Sequence, residues 1–194
     1  MDPVTLGLIG FAAYIFISQD SRTVQGVIKG VSTVTKAIGK AATFVAAQLP
    51  NALTLQDETG ISPIVTLLQS AHESNFGTSQ LAVKYHNLFG VKPSQAWLKA
   101  GKPVAHFSSV ASEAGAAADF AAYSTDLESM REWAALLNRL YPLAYEAAQN
   151  GDLDLFFAGL EKGKAGAYAA DPNYKVSALA LLPSLKSVLP EGIA

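Results

Sequence analysis

From Pro3 to Gln19 the chain reads PVTLGLIGFAAYIFISQ, without one charged residue. A run of this length is just enough for a transmembrane helix, which needs about 17–25 residues. Asp2 stands where a secretory signal carries Lys or Arg, and no small-residue cleavage site is evident. The stretch therefore reads as an uncleaved anchor over 1–20, in contact with lipid through residues 4–18, with a buried core helix as the plainer alternative. Next, Val24, Val27, Ile28, Val31, Val34, Ile38, Ala41 and Val45 recur at helical spacing on one face, while Arg22, Lys29, Lys36 and Lys40 share the opposite face. An apolar face backed by a basic stripe fits a helix lying on anionic lipid over 22–47, and equally a helix packed on the domain or a partner. Gly26, Gly30 and Gly39 each weaken it by up to about 1 kcal/mol relative to Ala, so it needs a surface to form on. QLPNALTLQDETGISP then reads as a linker or a first short element, punctuated by Pro50, Asn51, Gly60 and Pro63. The expected organisation is an anchor over 1–20, an amphipathic helix and linker over 21–51, and a domain over 52–194.

Within that domain Ile61, Ile64, Val65, Leu68, Ala71 and His72 keep to one helical face. Glu73 projects about 140° from the middle of that face, beside Thr66 and Gln69, at 3.6 residues per turn. It is thus expected to point away from the core and to emerge at the helix C-terminus. Further on, Thr125-Asp126-Leu127-Glu128 forms a capping box, with Trp133, Leu136, Leu137 and Leu140 as the buried stripe. Asp171 as N-cap and Pro172 at the first helical position predict a last helix start. Between these helices PVAHFSSV has strand character, but ASEAGAAAD is poor in β-branched residues.

Composition narrows the chemistry. Half the residues are apolar and only 15% are charged, a balance that favours membrane contact. A net charge of −2 provides no basic field for nucleic acid. The absence of cysteine excludes disulfides, thiolate metal sites and cysteine nucleophiles. His72, His86 and His106 lack metal-ligand spacing, so neither a metal nor another cofactor is expected. His72 reads as a satisfied core histidine. Glu73 is the acid of interest. The helix dipole disfavours negative charge at a helix C-terminus, and shielding by Phe76 adds to this, so both raise its pKa towards that of a general acid. Spacing alone favours a solvated helix-end glutamate.

HESNFGTSQLA followed by YHNLFGVK resembles the signature of glycoside hydrolase family 73, bacterial N-acetylglucosaminidases with a lysozyme-like fold that cut peptidoglycan. Glu73, Ser74, Phe76, Gly77 and Ser79 match its Glu-Ser-x-aromatic-Gly-x-Ser part, and Asn87 to Lys92 match Asn-Leu-Phe-Gly-hydrophobic-Lys. Phe120, Tyr123 and Ser129 resemble the Phe-x-x-Tyr segment; Tyr168, Ala169, Asp171, Pro172 and Tyr174 resemble Gly-Tyr-Ala-x-Asp-Pro-x-Tyr, with Gly166 one residue further away than that pattern has it. The resemblance implies a mainly α, lysozyme-like (α+β) domain with a small, poorly formed β-lobe. It also implies that Glu73 is the general acid and that Tyr168 and Tyr174 line the sugar cleft. Phe76, Ser74, Asn87 and Tyr123 join the candidate substrate-binding residues, Asn87 also reading as a brace for the turn. A second acid is expected from the lobe, where Glu113 is the first candidate and Asp119 the next; substrate assistance by the acetamido group is the alternative.

The expected activity is membrane-anchored cleavage of peptidoglycan glycan strands as an endo-β-N-acetylglucosaminidase. Muramidase or lytic transglycosylase action shares the fold and the lone acid, and a wall-binding or structural protein without turnover is the non-enzymatic reading. Basic residues after the anchor place the remaining chain on the cytoplasmic side, in conflict with a cell-wall substrate. A bacterial envelope and the virion of a membrane-containing phage are both compatible with the sequence, and the virion removes the conflict.

Overall fold

The computed structural model describes residues 21–107 and 118–193. The expected anchor and Glu113 lie outside the described residues, and among those described no helix is long and apolar enough to cross a membrane. Among the described residues, those up to Lys36 belong to one unit and those from Ala37 on to another.

The first helix, α1 (Ser21–Thr59), runs unbroken through Pro50. This corrects the linker expected around Gln48 to Pro63. A proline inside a helix forfeits one backbone hydrogen bond and crowds the preceding turn, at roughly 3 kcal/mol. Pro50 lies on the exposed side, while Ala52 and Leu55 are fully buried and hold the segment helical against that cost. Ala41, Phe44 and Val45 are buried in the same core, N-terminal to the expected domain start at 52. Over this part the apolar stripe of α1 covers the domain, whereas Val34 is exposed.

Helix α2 (Pro63–Ser74) is the centre of the fold. Its first nine residues, Pro63 to Ala71, are all buried, including Thr66, Gln69 and Ser70. The periodicity assigned Thr66 and Gln69 to a side away from the core; that side is in fact covered by the C-terminal segment. Short helices α3 (Gln80–Tyr85) and α4 (Gln95–Lys99) follow, each capped by a serine side chain, Ser79 and Ser94. Strands β1 (Val104–Phe107) and β2 (Ala118–Ala121) pair antiparallel, Val104 opposite Ala121 and His106 opposite Asp119. This hairpin is the small β-lobe.

Helix α5 (Asp126–Leu140) starts as expected: the Thr125 side chain accepts from the Glu128 N–H, and Glu128 reaches back to the N–H of Ser124. Trp133 is fully buried and stacks on Phe89 with centroids 4.5 Å apart. Helices α6 (Pro142–Gln149) and α7 (Leu153–Leu160) pack so closely that a Cβ on Gly159 would lie 2.4 Å from the Ala144 backbone nitrogen. The last helices are α8 (Tyr174–Leu179) and α9 (Leu182–Lys186). Helix α8 begins two residues after Pro172, correcting the expected cap: Asp171 instead closes a turn, accepting from the Asn173 N–H at 2.8 Å. The described domain is mainly helical with one two-stranded sheet.

Candidate active site

Glu73 is the penultimate residue of α2, one turn after Gln69, so the two side chains share a face. The helix then stops in a left-handed run, with φ of 53° at Asn75, 59° at Phe76 and 72° at Gly77. The Phe76 N–H closes the helix end by donating to the Ala71 carbonyl at 2.8 Å. A phenylalanine in this region is strained by about 1–3 kcal/mol and persists only where its surroundings hold it. Helix α1 does so. The Phe44 ring meets Phe76 edge-on at 5.8 Å, Lys40 Nζ lies 5.3 Å from its centroid, and the same ammonium donates to Asn75 Oδ1 at 2.6 Å. Phe76 therefore packs on α1, and the side chains bonded to Glu73 are Tyr174 and Gln69.

The Tyr174 hydroxyl donates to Glu73 Oε1, and Gln69 Nε2 donates to the Tyr174 oxygen. The same Nε2 reaches Glu73 Oε1 at 3.5 Å. Glu73 Oε2 faces Gly90, where a Cβ would stand 4.0 Å away. Burial raises the Glu73 pKa; the hydrogen bond from Tyr174, which favours the anion, works in the opposite direction. Burial also pushes the Tyr174 and Tyr168 hydroxyls far above their ordinary value, with the Glu73 charge adding to it, so both stay protonated. Tyr168 donates to the Phe89 carbonyl at 3.2 Å, and its ring lies 6.0 Å from that of Tyr174. His72 meets Tyr174 edge-on at 5.0 Å and contacts Ser177 Oγ at 2.9 Å; burial lowers its pKa, against the opposing pull of Asp171.

The Asn-Leu-Phe-Gly turn supplies the floor opposite Glu73. Asn87 is buried and its amide is consumed by backbone: it donates to the carbonyls of Val91 at 2.9 Å and Ala121 at 2.8 Å, and accepts from the Val91 N–H at 3.0 Å. The Leu88 N–H donates to Ser129 Oγ at 3.1 Å, tying the turn to α5. Gly90 adopts φ 62°, a conformation that costs glycine little, and brings no side chain against Glu73 Oε2.

Of the residues singled out from sequence, Glu73 and Tyr174 are in contact, and Tyr168 stands beside them. Ser74 is buried and bonded to the Ser70 carbonyl and the Gly77 N–H. Tyr123 packs edge-on against Trp97 at 5.3 Å, its buried hydroxyl without a partner among the described residues. Asp119 is exposed and pairs with His106 at 2.7 Å across the hairpin. Sequence reasoning misses two contributors: Gln69, which it places only by its side of the helix, and the Lys40–Phe44 brace, where Lys40 reads as part of a basic stripe and Phe44 carries no signal of its own. The four-residue spacing from Gln69 to Glu73 was the available signal.

The family model for glucosaminidase, described as mannosyl-glycoprotein endo-beta-N-acetylglucosaminidase, matches residues 49–187. The chain belongs to this family. The chain is similar to the peptidoglycan hydrolase FlgJ of Salmonella typhimurium, 31% identical over an alignment of 144 residues that covers 68% of this chain and 42% of the relative. The chain thus spans less than half of that relative's length. The glycoside hydrolase domain of the same FlgJ superposes with a TM-score of 0.59 at 28% identity, covering 76% of this chain and 89% of that domain. The catalytic domain of the Listeria monocytogenes autolysin Auto gives 0.57 at 26% identity, over 77% and 86%. A peptidoglycan hydrolase from Sphingomonas sp. A1 shares the fold, with a TM-score of 0.61 at 23% identity over 79% and 98%.

Proposed function

We propose that this glucosaminidase-family protein is a peptidoglycan hydrolase that cleaves the glycan strand as an endo-β-N-acetylglucosaminidase, with Glu73 as general acid. The observation that carries the reading is the Glu73 carboxyl itself, shielded enough for its pKa to rise and bonded to Tyr174. A carboxyl with a raised pKa keeps its proton towards neutral pH and delivers it to the glycosidic oxygen. As the sugar C–O bond breaks, its electron pair goes to that oxygen, which takes the Glu73 proton and departs as an alcohol; water then bonds to the freed sugar carbon, and the proton it releases restores the acid. The carboxylate left behind is stabilised by the Tyr174 hydroxyl. Tyr168 and Tyr174, which stand beside the acid, are proposed to line the sugar cleft, and the β-hairpin forms the lobe from which a second acid, Glu113, is proposed to come. Digestion of purified cell walls by wild type and Glu73→Gln, with mass spectrometry of the products, tests this. The proposal predicts reducing-end N-acetylglucosamine from wild type and almost none from the variant. A variant as active as wild type refutes it.

One observation favours a second reading, lytic transglycosylase or muramidase action on the neighbouring bond. Asp119, the next candidate for a second acid after Glu113, is exposed and engaged with His106 instead. A lone acid suffices where the substrate's own group closes on the sugar carbon. Products with 1,6-anhydro or reducing-end N-acetylmuramic acid termini identify that outcome.

The uncharged stretch from Pro3 to Gln19 supports a further proposal, that residues 1–20 anchor the domain at a membrane bounding the cell wall, of a bacterial envelope or of a virion. Alkaline extraction of membranes carrying the full chain should leave it in the pellet, and a chain lacking residues 1–20 in the supernatant. Release of both refutes the anchor.

A further inference from the structure

We infer that Gln69 is a positioning residue that decides which oxygen of Glu73 carries the acid proton, placing it on Oε2, the oxygen that faces Gly90. This rests on the reading of Glu73 as general acid. Gln69 is wholly buried in α2, and its amide nitrogen donates to the Tyr174 oxygen while standing 3.5 Å from Glu73 Oε1. An amide nitrogen only donates, so the Tyr174 oxygen accepts there and its single proton must go elsewhere. It goes to Glu73 Oε1. With two donors aimed at it, Oε1 has no place for a proton of its own, because that proton would meet the tyrosine proton head-on. The carboxyl proton belongs on Oε2, beside a glycine that offers no side chain to cover it.

A second observation separates this role from plain packing. Gln69 Oε1 is buried without a partner among the described residues. Asn87, also buried, uses both ends of its amide on backbone groups, as a structural amide does. Gln69 turns its amide to the polar side chains around the acid, Tyr174 and Glu73, with Tyr168 also within its influence. With the amide turned round, its oxygen would accept from Tyr174, the tyrosine oxygen would accept from a proton on Glu73 Oε1, and the acid proton would be held inside a closed chain. The amide direction thus sets whether the proton faces Gly90 or is held internally. The titratable groups facing Glu73 are Tyr174 from α8 and Tyr168 from the preceding loop, both held protonated; His72 meets Tyr174 edge-on.

Neutron diffraction from the full chain at pH 4, below the raised Glu73 pKa, reads the proton directly. Deuterium on Oε2 is expected; deuterium on Oε1, directed at Tyr174, overturns the inference. In solution, Gln69→Met removes the donor and the partnerless oxygen at nearly constant volume. We expect kcat on soluble glycan chains to fall about tenfold with KM within about twofold. The alkaline limb of the rate profile should move to higher pH, because the anion loses a donor, and Tm should not fall. An unchanged kcat and alkaline limb, or a loss of activity that tracks a fall in Tm, overturns it. Tyr174→Phe should give the same displacement, and the double variant should be little worse than either single one, since the two act in one chain; additive losses count against the idea. Activity in Glu73→Gln would remove the reading of the acid, whereas the deuterium position is independent of turnover, so the two failures are distinguishable.

Discussion

Glu73→Gln separates the chemistry of the acid from its place in the fold. The substitution keeps volume and shape, and the Gln oxygen can still accept the hydrogen bond that the Tyr174 hydroxyl gives to Oε1. Only the deliverable proton is lost. General acid catalysis contributes about 10²- to 10⁴-fold, so kcat should drop by that factor, a barrier increase of about 2.7–5.5 kcal/mol, with KM nearly unchanged. Stability should move the other way. Burial raises the folded-state pKa of Glu73 above its unfolded value. Between those two pKa values the native state binds more protons than the unfolded one, so wild-type stability falls as pH rises through that window and then levels off. Each unit of separation costs about 1.4 kcal/mol at high pH. The variant does not titrate there. Its Tm should exceed that of wild type at pH 8, and the gap should close as pH falls, disappearing below about pH 4, where the unfolded carboxylate also protonates. Wall clearing, single-turnover kinetics on glycan fragments and melting curves from pH 4 to 9 measure both effects. A gap that widens towards low pH would refute the reasoning about burial, whatever the activity.

Further outcomes follow from the packing. Phe44→Ala empties a buried site that also braces Phe76, and should cost about 3–5 kcal/mol by chemical denaturation together with activity; a chain beginning at Ala52 loses Ala41 and Val45 as well and should melt far below the full chain. Gly90→Ala forces a Cβ into φ 62° and sets a methyl 4.0 Å from Glu73 Oε2, so turnover should fall with a stability loss of about 1 kcal/mol, read by kinetics and thermal melting side by side. Asn87→Ala strands buried backbone groups of Val91 and Ala121 and should destabilise by at least about 1–3 kcal/mol, measured by urea unfolding. Gly159→Ala drives a methyl into the Ala144 backbone and should destabilise the α6–α7 pair by more than about 1 kcal/mol, measured the same way.

Much of the local chemistry was legible in the sequence where it depends on neighbours along the chain, the Asp171 cap being the exception. The capping box at Thr125 formed, Trp133 and Leu137 are buried as their spacing required, and the weak strand signal yielded only a short hairpin. The ordered Glu-Ser-x-aromatic-Gly, Asn-Leu-Phe-Gly and tyrosine segments pointed to the family before any geometry was known. Apart from the Asp171 cap, what the sequence misjudged were contacts between distant segments. Pro50 read as a break, yet burial of Leu55 and Ala52 outweighs the lost hydrogen bond. Thr66 and Gln69 read as an outward side, yet the segment carrying Tyr174, more than a hundred residues later, covers Gln69. Periodicity measures only which residues share a face, because helix geometry fixes that from one turn to the next. Which neighbour covers that face is decided by tertiary packing. At Glu73 the local pattern set a carboxylate at the end of a helix with Gln69 one turn before it, and only the arrival of Tyr174 from the distant C-terminal segment completes its surroundings and engages one of its oxygens.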